Sequence, residues 1–208
     1  MNRIKINYNE IRKKAKEILE LEHEISSVIP IDIDLFAEKK GFSIIPTELK
    51  GKISKEAFLL VNTKEIVVER DLYFHNNDHR FRFSIAHELG HYYLHKDFYM
   101  QFNFKSIEQW KKAYKDLEVD IIDDMEVEAN RFASFLLMPD RHLSNIFNEQ
   151  LELLFPYIEK AKIAGLSKCD YQSYVIDKIA TRISYLFNVS QISMCIRLRD
   201  NIYIDLIP

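Results

Sequence analysis

The stretch Phe83–His95, FSIAHELGHYYLH, decides the fold because it combines a helical pattern with two histidines four residues apart. Residues four apart on an α-helix project from the same face, so His87 and His91 can offer two imidazole nitrogens to one metal ion. Glu88 follows the first histidine directly and points to the side of that pair, where it can take a proton from water. The pattern therefore predicts half of a metal site together with a general base.

Two histidines need a third ligand, and a carboxylate on another helix is the best source in this chain. The segment 125–139, MEVEANRFASFLLMP, carries Glu126 and Glu128. Glu126 shares its face with small residues, so its helix can approach the histidine helix closely, and Asn130 one turn on is placed to hydrogen-bond a histidine ring. Glu128 lies one turn from Arg131, which favours an exposed ion pair. We therefore expect Glu126 to be the third ligand.

Three other histidines lie near the motif, and none is favoured as a ligand. His95 extends the four-residue spacing, but three histidines stacked along one helix cannot surround an ion tetrahedrally. We expect His95 to be structural or to support a ligand, with a backbone carbonyl as its partner. His75 and His79 lie in a polar segment ahead of the helix, so we expect them to be exposed to solvent.

The composition indicates a packed globular protein without a strong global charge. With 47% hydrophobic residues and a formal net charge of −3, the chain has no basic field of the kind that drives non-specific nucleic-acid binding. Cys169 and Cys195 are far apart in sequence, which argues against a disulfide framework or a thiolate metal site and fits a reducing cytoplasm. No apolar run is long enough to span a membrane. We therefore expect a cytoplasmic protein with no membrane association.

Around the motif, the changes of periodicity predict an α+β fold. An amphipathic helix opened by an Asn cap is expected from Asn9 to about Leu21, and a short helix in 31–41 is expected to end at Gly41. The following segments FSIIPTEL, EAFLLVN and KEIVVERDL are short and rich in Val, Ile, Leu and Phe, which favours a small antiparallel sheet next to the motif helix. Residues 1–139 are thus predicted to form one α+β core around the motif helix.

Beyond the sheet, the chain is expected to be helical. The segment 107–118, IEQWKKAYKDLE, is predicted to form an amphipathic helix between the two ligand-bearing helices. Asp123 or Asp124 is expected to cap the Glu126 helix, which Pro139 follows. Residues 140–208 are predicted to form a helical carboxyl-terminal region, with breaks at Phe155-Pro156 and Gly165.

Taken in order, the motifs RFSIAHELGHYYLH and EVEANRFASFLLMP, followed more weakly by FNVSQISMCIRL, resemble the ImmA/IrrE family of zinc-dependent metallopeptidases. The resemblance implies a zincin-like core in residues 1–139. It also implies a gluzincin-like HExxH site in which His87, His91 and Glu126 hold zinc and Glu88 is the general base. It also implies a protein substrate, a helix-turn-helix repressor of a mobile-element or stress-response switch. The alternative is a non-proteolytic toxin–antitoxin component or regulator that binds a partner protein through the same fold. The sequence does not name the residue that stabilises the oxyanion of a peptidase, and Tyr92, Tyr93 and several histidines are candidates.

The motif VSQISMCIRL also resembles the turn and second helix of a DNA-binding helix-turn-helix. Arg182, Arg197 and Arg199 supply basic charge near it. Asp200 and Asp205 oppose that charge, and the helix itself is largely apolar, so no basic stripe is formed. Packing or protein recognition is favoured, and direct nucleic-acid binding is not expected.

Overall fold

The structure, a computed structural model, describes residues 5–50, 55–74, 78–101, 109 and 119–208. These residues are mostly helical and include one small sheet, so the predicted α+β class is confirmed. The chain forms two compact units, Met1–Leu137 and Met138–Pro208. The domain boundary inferred from the sequence, between residues 139 and 140, stays a prediction. No helix in the described part of the chain is long and apolar enough to cross a membrane.

The first unit contains the sheet and the motif helix. Its helices are α1 (Tyr8–Glu20), α2 (His23–Ser26), α3 (Ile33–Lys39), α4 (Arg70–Phe74), α5 (Asp78–Met100) and α6 (Val119–Leu137). Its strands are β1 (Ser43–Thr47), β2 (Ala57–Leu60) and β3 (Glu65–Glu69). The long helices α5 and α6 pack against each other, α1 packs on α6, and β2 lies beside α5.

The second unit is entirely helical in the described residues. Its elements are α7 (Asp140–Glu152), α8 (Phe155–Ile163), α9 (Lys168–Ile183), a 3₁₀ helix (Ser184–Phe187), α10 (Gln191–Leu198) and α11 (Asn201–Ile204). The predicted boundaries are confirmed, since Pro156 lies in the first turn of α8 and Gly165, with φ +77°, follows its end. Proline suits a first turn, and glycine adopts this left-handed conformation without strain.

Local capping explains where the first helices begin and end. Asn7, rather than a residue near Asn9, caps α1, because its side chain accepts from the Glu10 amide at 3.0 Å while the Glu10 carboxylate accepts from the Asn7 amide at 3.2 Å. This reciprocal capping box starts the helix earlier than the sequence pattern suggested. Asp32 caps α3, and Gly41, with φ +79°, follows its end as predicted.

The sheet is mixed, which corrects the expectation of a wholly antiparallel one. Its strand order is β1-β3-β2, with β2 antiparallel and β1 parallel to the central strand β3. The two later strands form a hairpin, and β1 lies on the other side of β3. β1 and β3 would also run in the same direction in an antiparallel β1-β2-β3 sheet, but here they are neighbours, so they pair in parallel. The edge strands are therefore β1 and β2.

Two further expectations concern the approach to α6. The helix already includes Val119, so Asp123 and Asp124 lie inside it and do not cap it. The predicted helix over 107–118 lies outside the described residues, apart from Gln109, and so does His75.

Arg197, one of the basic residues of the weak helix-turn-helix motif, is buried in the second unit. Its guanidinium contacts Asp140, and it lies 3.0 Å from the Asp200 carboxylate. The hydroxyl of Tyr203 donates to Asp140 at 3.0 Å. These contacts join α7, α10 and α11, so Arg197 holds helices together and does not face outward for a phosphate.

Candidate active site

The close approach of α5 and α6 depends on a glycine within the HExxH motif. A Cβ built on Gly90 would lie 3.0 Å from the carbonyl oxygen of Ala129 and 3.2 Å from Cβ of Phe132. Any larger residue at this position would therefore push the two helices apart. The sequence pointed to small residues on α6, and the structure adds the matching glycine on α5. The approach places Glu126 of α6 opposite the histidines of α5.

The side chains of His87, His91 and Glu126 converge on one point. Nε2 of His91 lies 3.0 Å from Nε2 of His87. The carboxylate oxygens of Glu126 lie 3.2 Å from His87 Nε2 and 3.5 Å from His91 Nε2. One ligand atom from each residue can be chosen so that all three lie within 4.8 Å of one another. The fold thus brings together the three residues predicted as metal ligands.

Asn130 fixes the orientation of the first histidine. Its Oδ1 lies 2.9 Å from Nδ1 of His87, as the sequence predicted for a residue one turn beyond Glu126. When the amide oxygen accepts from Nδ1–H, the lone pair of Nε2 faces the point of convergence. This is the tautomer that a metal-binding histidine needs.

The protonation states of the three side chains depend on one another. Burial opposes the ionisation of Glu126, but its hydrogen bonds with His87 and His91 outweigh burial and lower the pKa of the carboxyl. Burial lowers the pKa of the His91 imidazole well below its usual value. At His87 burial acts in the same direction, but contact with Glu126 outweighs it and raises the pKa. An ionised carboxylate beside a neutral His91 is the state in which both bind a metal.

Glu88 lies beside this group and is nearly buried, with 5% of its surface exposed. Burial raises the pKa of its carboxyl, against the opposing effects of His87 and Lys55. The backbone amide of Leu59 in β2 hydrogen-bonds the Glu88 carboxylate. Glu88 therefore lies between the ligand group, formed by His87, His91 and Glu126, and the outer edge of β2. This position is suited to proton transfer at a bound substrate.

His95 and Glu128 form a pair that the sequence analysis did not predict. Glu128 is fully buried, which corrects the expected exposed ion pair with Arg131, whose guanidinium lies over the Tyr8 ring. Oε2 of Glu128 lies 2.9 Å from Nε2 of His95, so the partner of His95 is this carboxylate rather than a backbone carbonyl. The expectation that His95 supports a ligand agrees with its other nitrogen, which lies 3.0 Å from Nδ1 of His91.

Lys55 is a site residue that sequence reasoning missed. Its ammonium contacts the carboxylate of Glu126, and both side chains are only about a quarter exposed. Nothing in the local pattern around residue 55 signals this role, because the contact joins the segment before β2 to a helix 71 positions later. Lys55 brings a positive charge to the ligand group.

The two tyrosines of the motif point away from the ligand group. Tyr92 packs edge-on against Phe42, with ring centroids 4.8 Å apart. Tyr93 stacks on Phe132, and burial raises the pKa of its hydroxyl to about 12. Both rings therefore contribute to packing through these contacts.

The donor set of the site fits a divalent metal. Two imidazole nitrogens and one carboxylate are the protein ligands of catalytic sites that keep a fourth position open. The chain matches the family model of the IrrE N-terminal-like domain, Peptidase_M78, over residues 37–199, a span that contains every ligand candidate. No curated protein matches the chain.

Proposed function

The chain belongs to the IrrE N-terminal-like family of metallopeptidases, Peptidase_M78, and we propose that it is a zinc-dependent endopeptidase acting on a protein substrate. The observation that carries the proposal is the convergence of His87, His91 and Glu126 with Glu88 buried beside them. Two ligands four residues apart and a carboxylate between them in sequence serve one purpose, the hydrolysis of a peptide bond at a metal.

Zinc is the metal that we propose for this site. His87 and His91 would bind it through Nε2, and Glu126 would bind it through its carboxylate. When bound, zinc supplies a Lewis acid that polarises the scissile carbonyl and lowers the pKa of water to about 7. The chain itself supplies the orientation of both rings through Asn130 and His95.

Glu88 is proposed as the general base and then the general acid. Its carboxylate takes a proton from the attacking water, and the protonated carboxyl then gives that proton to the leaving amide nitrogen. Burial among α5 and β2 limits its motion and excludes bulk water, so the carboxylate stays aimed at the ligand group. Glu88 does not need to bind the metal for either step.

The outer edge of β2 is proposed to hold the substrate in extended form. Leu59 in this edge strand directs its amide away from β3 and toward Glu88, as their hydrogen bond shows. A peptide added beside this edge by backbone hydrogen bonds would lie next to the catalytic carboxylate. Hydrogen exchange with a bound inhibitor peptide tests this, with slower exchange expected in β2 and unchanged exchange in the opposite edge strand β1.

For the substrate, we propose a helix-turn-helix transcriptional repressor of a mobile-element or stress-response switch. Its support is the resemblance of the two motifs to the ImmA/IrrE family. The test is co-expression with the repressor encoded beside this gene, followed by mass spectrometry of the products. One discrete fragment pair should form with the wild-type chain and not with Glu88→Gln. Intact repressor with both chains, in the presence of zinc, would count against this substrate.

A non-proteolytic binding protein is the second candidate, and one observation favours it. The ammonium of Lys55 contacts Glu126, and a cation bound there competes with a metal for the carboxylate. In that case the chain would bind its partner equally well with and without zinc. Pull-down of the repressor by the wild-type chain with and without a chelator, without any cleavage, would support association over hydrolysis.

A further inference from the structure

A chain of buried hydrogen bonds leads away from the ligand group into α6. From Nδ1 of His91 it runs 3.0 Å to Nδ1 of His95, and from Nε2 of His95 it runs 2.9 Å to Oε2 of Glu128. The other Glu128 oxygen, Oε1, accepts from the backbone amide of Ile6 at 2.7 Å. His91, His95 and Glu128 are each at most 3% exposed. Water therefore has little access to the chain of contacts.

The order of donors and acceptors in this chain is set by the metal site. If Nε2 of His91 gives its lone pair to a metal, the ring carries its proton on Nδ1 and donates it. Nδ1 of His95 must then accept, so the proton of His95 is on Nε2. That N–H in turn needs an acceptor, and the Glu128 carboxylate supplies one. In both hydrogen bonds the donor is thus the residue nearer the metal site: His91 donates to His95, and His95 donates to Glu128.

The amino-terminal segment completes this arrangement from outside the family-matched span. Ile6 precedes α1, whereas the family model begins at residue 37. The segment is held along α6 by the ion pair of Lys5 with Asp124 and by the edge-on contact of Tyr8 with Phe135, whose centroids lie 5.1 Å apart. The Ile6 amide thus has a fixed position opposite Glu128. A buried carboxylate needs such donors, because an unpaired one is strongly unfavourable.

We propose that His95 and Glu128 are positioning residues that hold His91 in its metal-binding tautomer, and that the Ile6 amide fixes Glu128 for this purpose. The proposal rests on the proposed function, since it takes His91 as a metal ligand. His95 and Glu128 act through His91 and do not contact substrate. Their effect is on how tightly the metal is held.

The sharpest variant is Glu128→Gln, because glutamine has nearly the same shape but only one acceptor oxygen. In either orientation of its amide, one NH₂ group faces a donor, either the Ile6 amide or Nε2–H of His95. Zinc affinity, measured by competition with a chelating dye, should fall by about 10- to 100-fold, the range typical of a lost supporting contact. Tyr99→Phe is the matched control, because it removes the hydroxyl 3.3 Å from His91 Nδ1 and leaves His95 in place. We expect it to change affinity less than threefold.

Ile6 offers a second matched pair of variants. Ile6→Pro removes the amide proton that Glu128 accepts, whereas Ile6→Ala shortens the side chain and keeps that proton. Zinc affinity should fall in Ile6→Pro, by less than in Glu128→Gln, and should stay near wild type in Ile6→Ala. Equal losses in both would mean that the segment acts through packing alone, which would overturn the part assigned to the Ile6 amide.

Nitrogen-15 NMR of the zinc-loaded wild-type protein tests the proposal without any substitution. His95 should carry its proton on Nε2, and the Nδ1–H of His91 should exchange slowly with water. A His95 protonated on Nδ1, or Glu128→Gln with wild-type zinc affinity, would overturn the positioning role of His95 and Glu128. The peptidase proposal would still stand. A wild-type chain that binds no zinc would overturn both. Because the wild-type spectrum decides the tautomer, the test holds even if Glu128→Gln does not fold.

Discussion

Each unit of the chain contains a partly buried charged cluster, and the two clusters differ in how their charges are balanced. In the second unit, Arg197 meets the carboxylates of Asp140 and Asp200. Each charge has a fixed partner of opposite sign. In the first unit, two histidine nitrogens lie 3.0 Å apart and face the carboxylate of Glu126. Each of those atoms can offer an electron pair to a metal ion, and the ammonium of Lys55 also contacts the carboxylate.

This difference separates a structural cluster from a binding cluster. A buried ion pair whose members satisfy each other holds elements together and has no need of a ligand. Converging lone pairs in a partly buried position are unfavourable until something positive binds them. Burial of charge alone would therefore not have identified the active site. The arrangement of donors and acceptors does.

The largest effect should come from removing a ligand of the first cluster. His87→Ala, His91→Ala and Glu126→Ala should each abolish stoichiometric zinc binding and cleavage together, because two remaining ligands do not hold the metal. Metal analysis after dialysis against free zinc checks this. Asp120→Ala, which removes an exposed carboxylate from the same helix, is the control and should keep one zinc per chain. If Glu126→Ala kept its zinc while Glu128→Ala lost it, the third ligand would have been assigned wrongly.

The next effect should separate hydrolysis from metal binding. Glu88→Gln should retain zinc, because Glu88 is not a ligand, and should lower the rate of cleavage by about 10²- to 10⁴-fold, the usual contribution of a general base. Folding should not suffer, since glutamine has nearly the same shape and its amide oxygen can still accept from the Leu59 amide. Single-turnover cleavage at saturating zinc measures the loss. A wild-type rate would remove Glu88 from the mechanism.

The sequence could predict the ligand group because its information is local. His87, Glu88 and His91 lie on one turn and a half of helix, and small residues beside Glu126 indicated a close helix contact. The α+β class followed in the same way from the change between short apolar strands and helical periodicity. What the sequence could not supply was the pairing of elements across space, as the parallel pairing of β1 with β3 illustrates.

The supporting residues were missed for the same physical reason. Glu128 precedes Arg131 by three positions, and that local pattern indicates an exposed pair, yet its real partner His95 is 33 positions away. Lys55 lies in a polar segment whose contact with Glu126 exists only in the folded chain. Arg197 packs against Asp140 and Asp200, which agrees with the expectation that this region serves packing. For both Glu128 and Lys55, the partner lies far away in the sequence.

A smaller effect is expected from breaking the balanced cluster of the second unit. Arg197→Met should lower the free energy of unfolding by about 2–4 kcal/mol, because it leaves Asp140 and Asp200 without their shared cation. Zinc content per folded chain should stay the same. Arg199→Met is the control, since the Arg199 side chain is 58% exposed and its guanidinium lies 3.9 Å from Asp177. Urea denaturation should show little change in the free energy of unfolding for Arg199→Met. An equal decrease in both variants would mean that burial of Arg197 with Asp140 and Asp200 does not increase their contribution to stability.

The smallest effect should come from Lys55, whose ammonium contacts the carboxylate of Glu126. Lys55→Met keeps the length of the side chain and removes the cation that competes with zinc for the carboxylate. Zinc affinity should rise by about two- to fivefold, since a pair that is partly exposed contributes about 0–1 kcal/mol. Lys50→Met is the matched control, because Lys50 pairs with Asp71, which is not a ligand candidate, and zinc affinity should not change. The same dye competition measures both. If Lys55→Met instead weakened zinc binding, Lys55 would stabilise Glu126 in its metal-binding position. The first cluster would then resemble the second, because its carboxylate would also have a fixed partner of opposite charge.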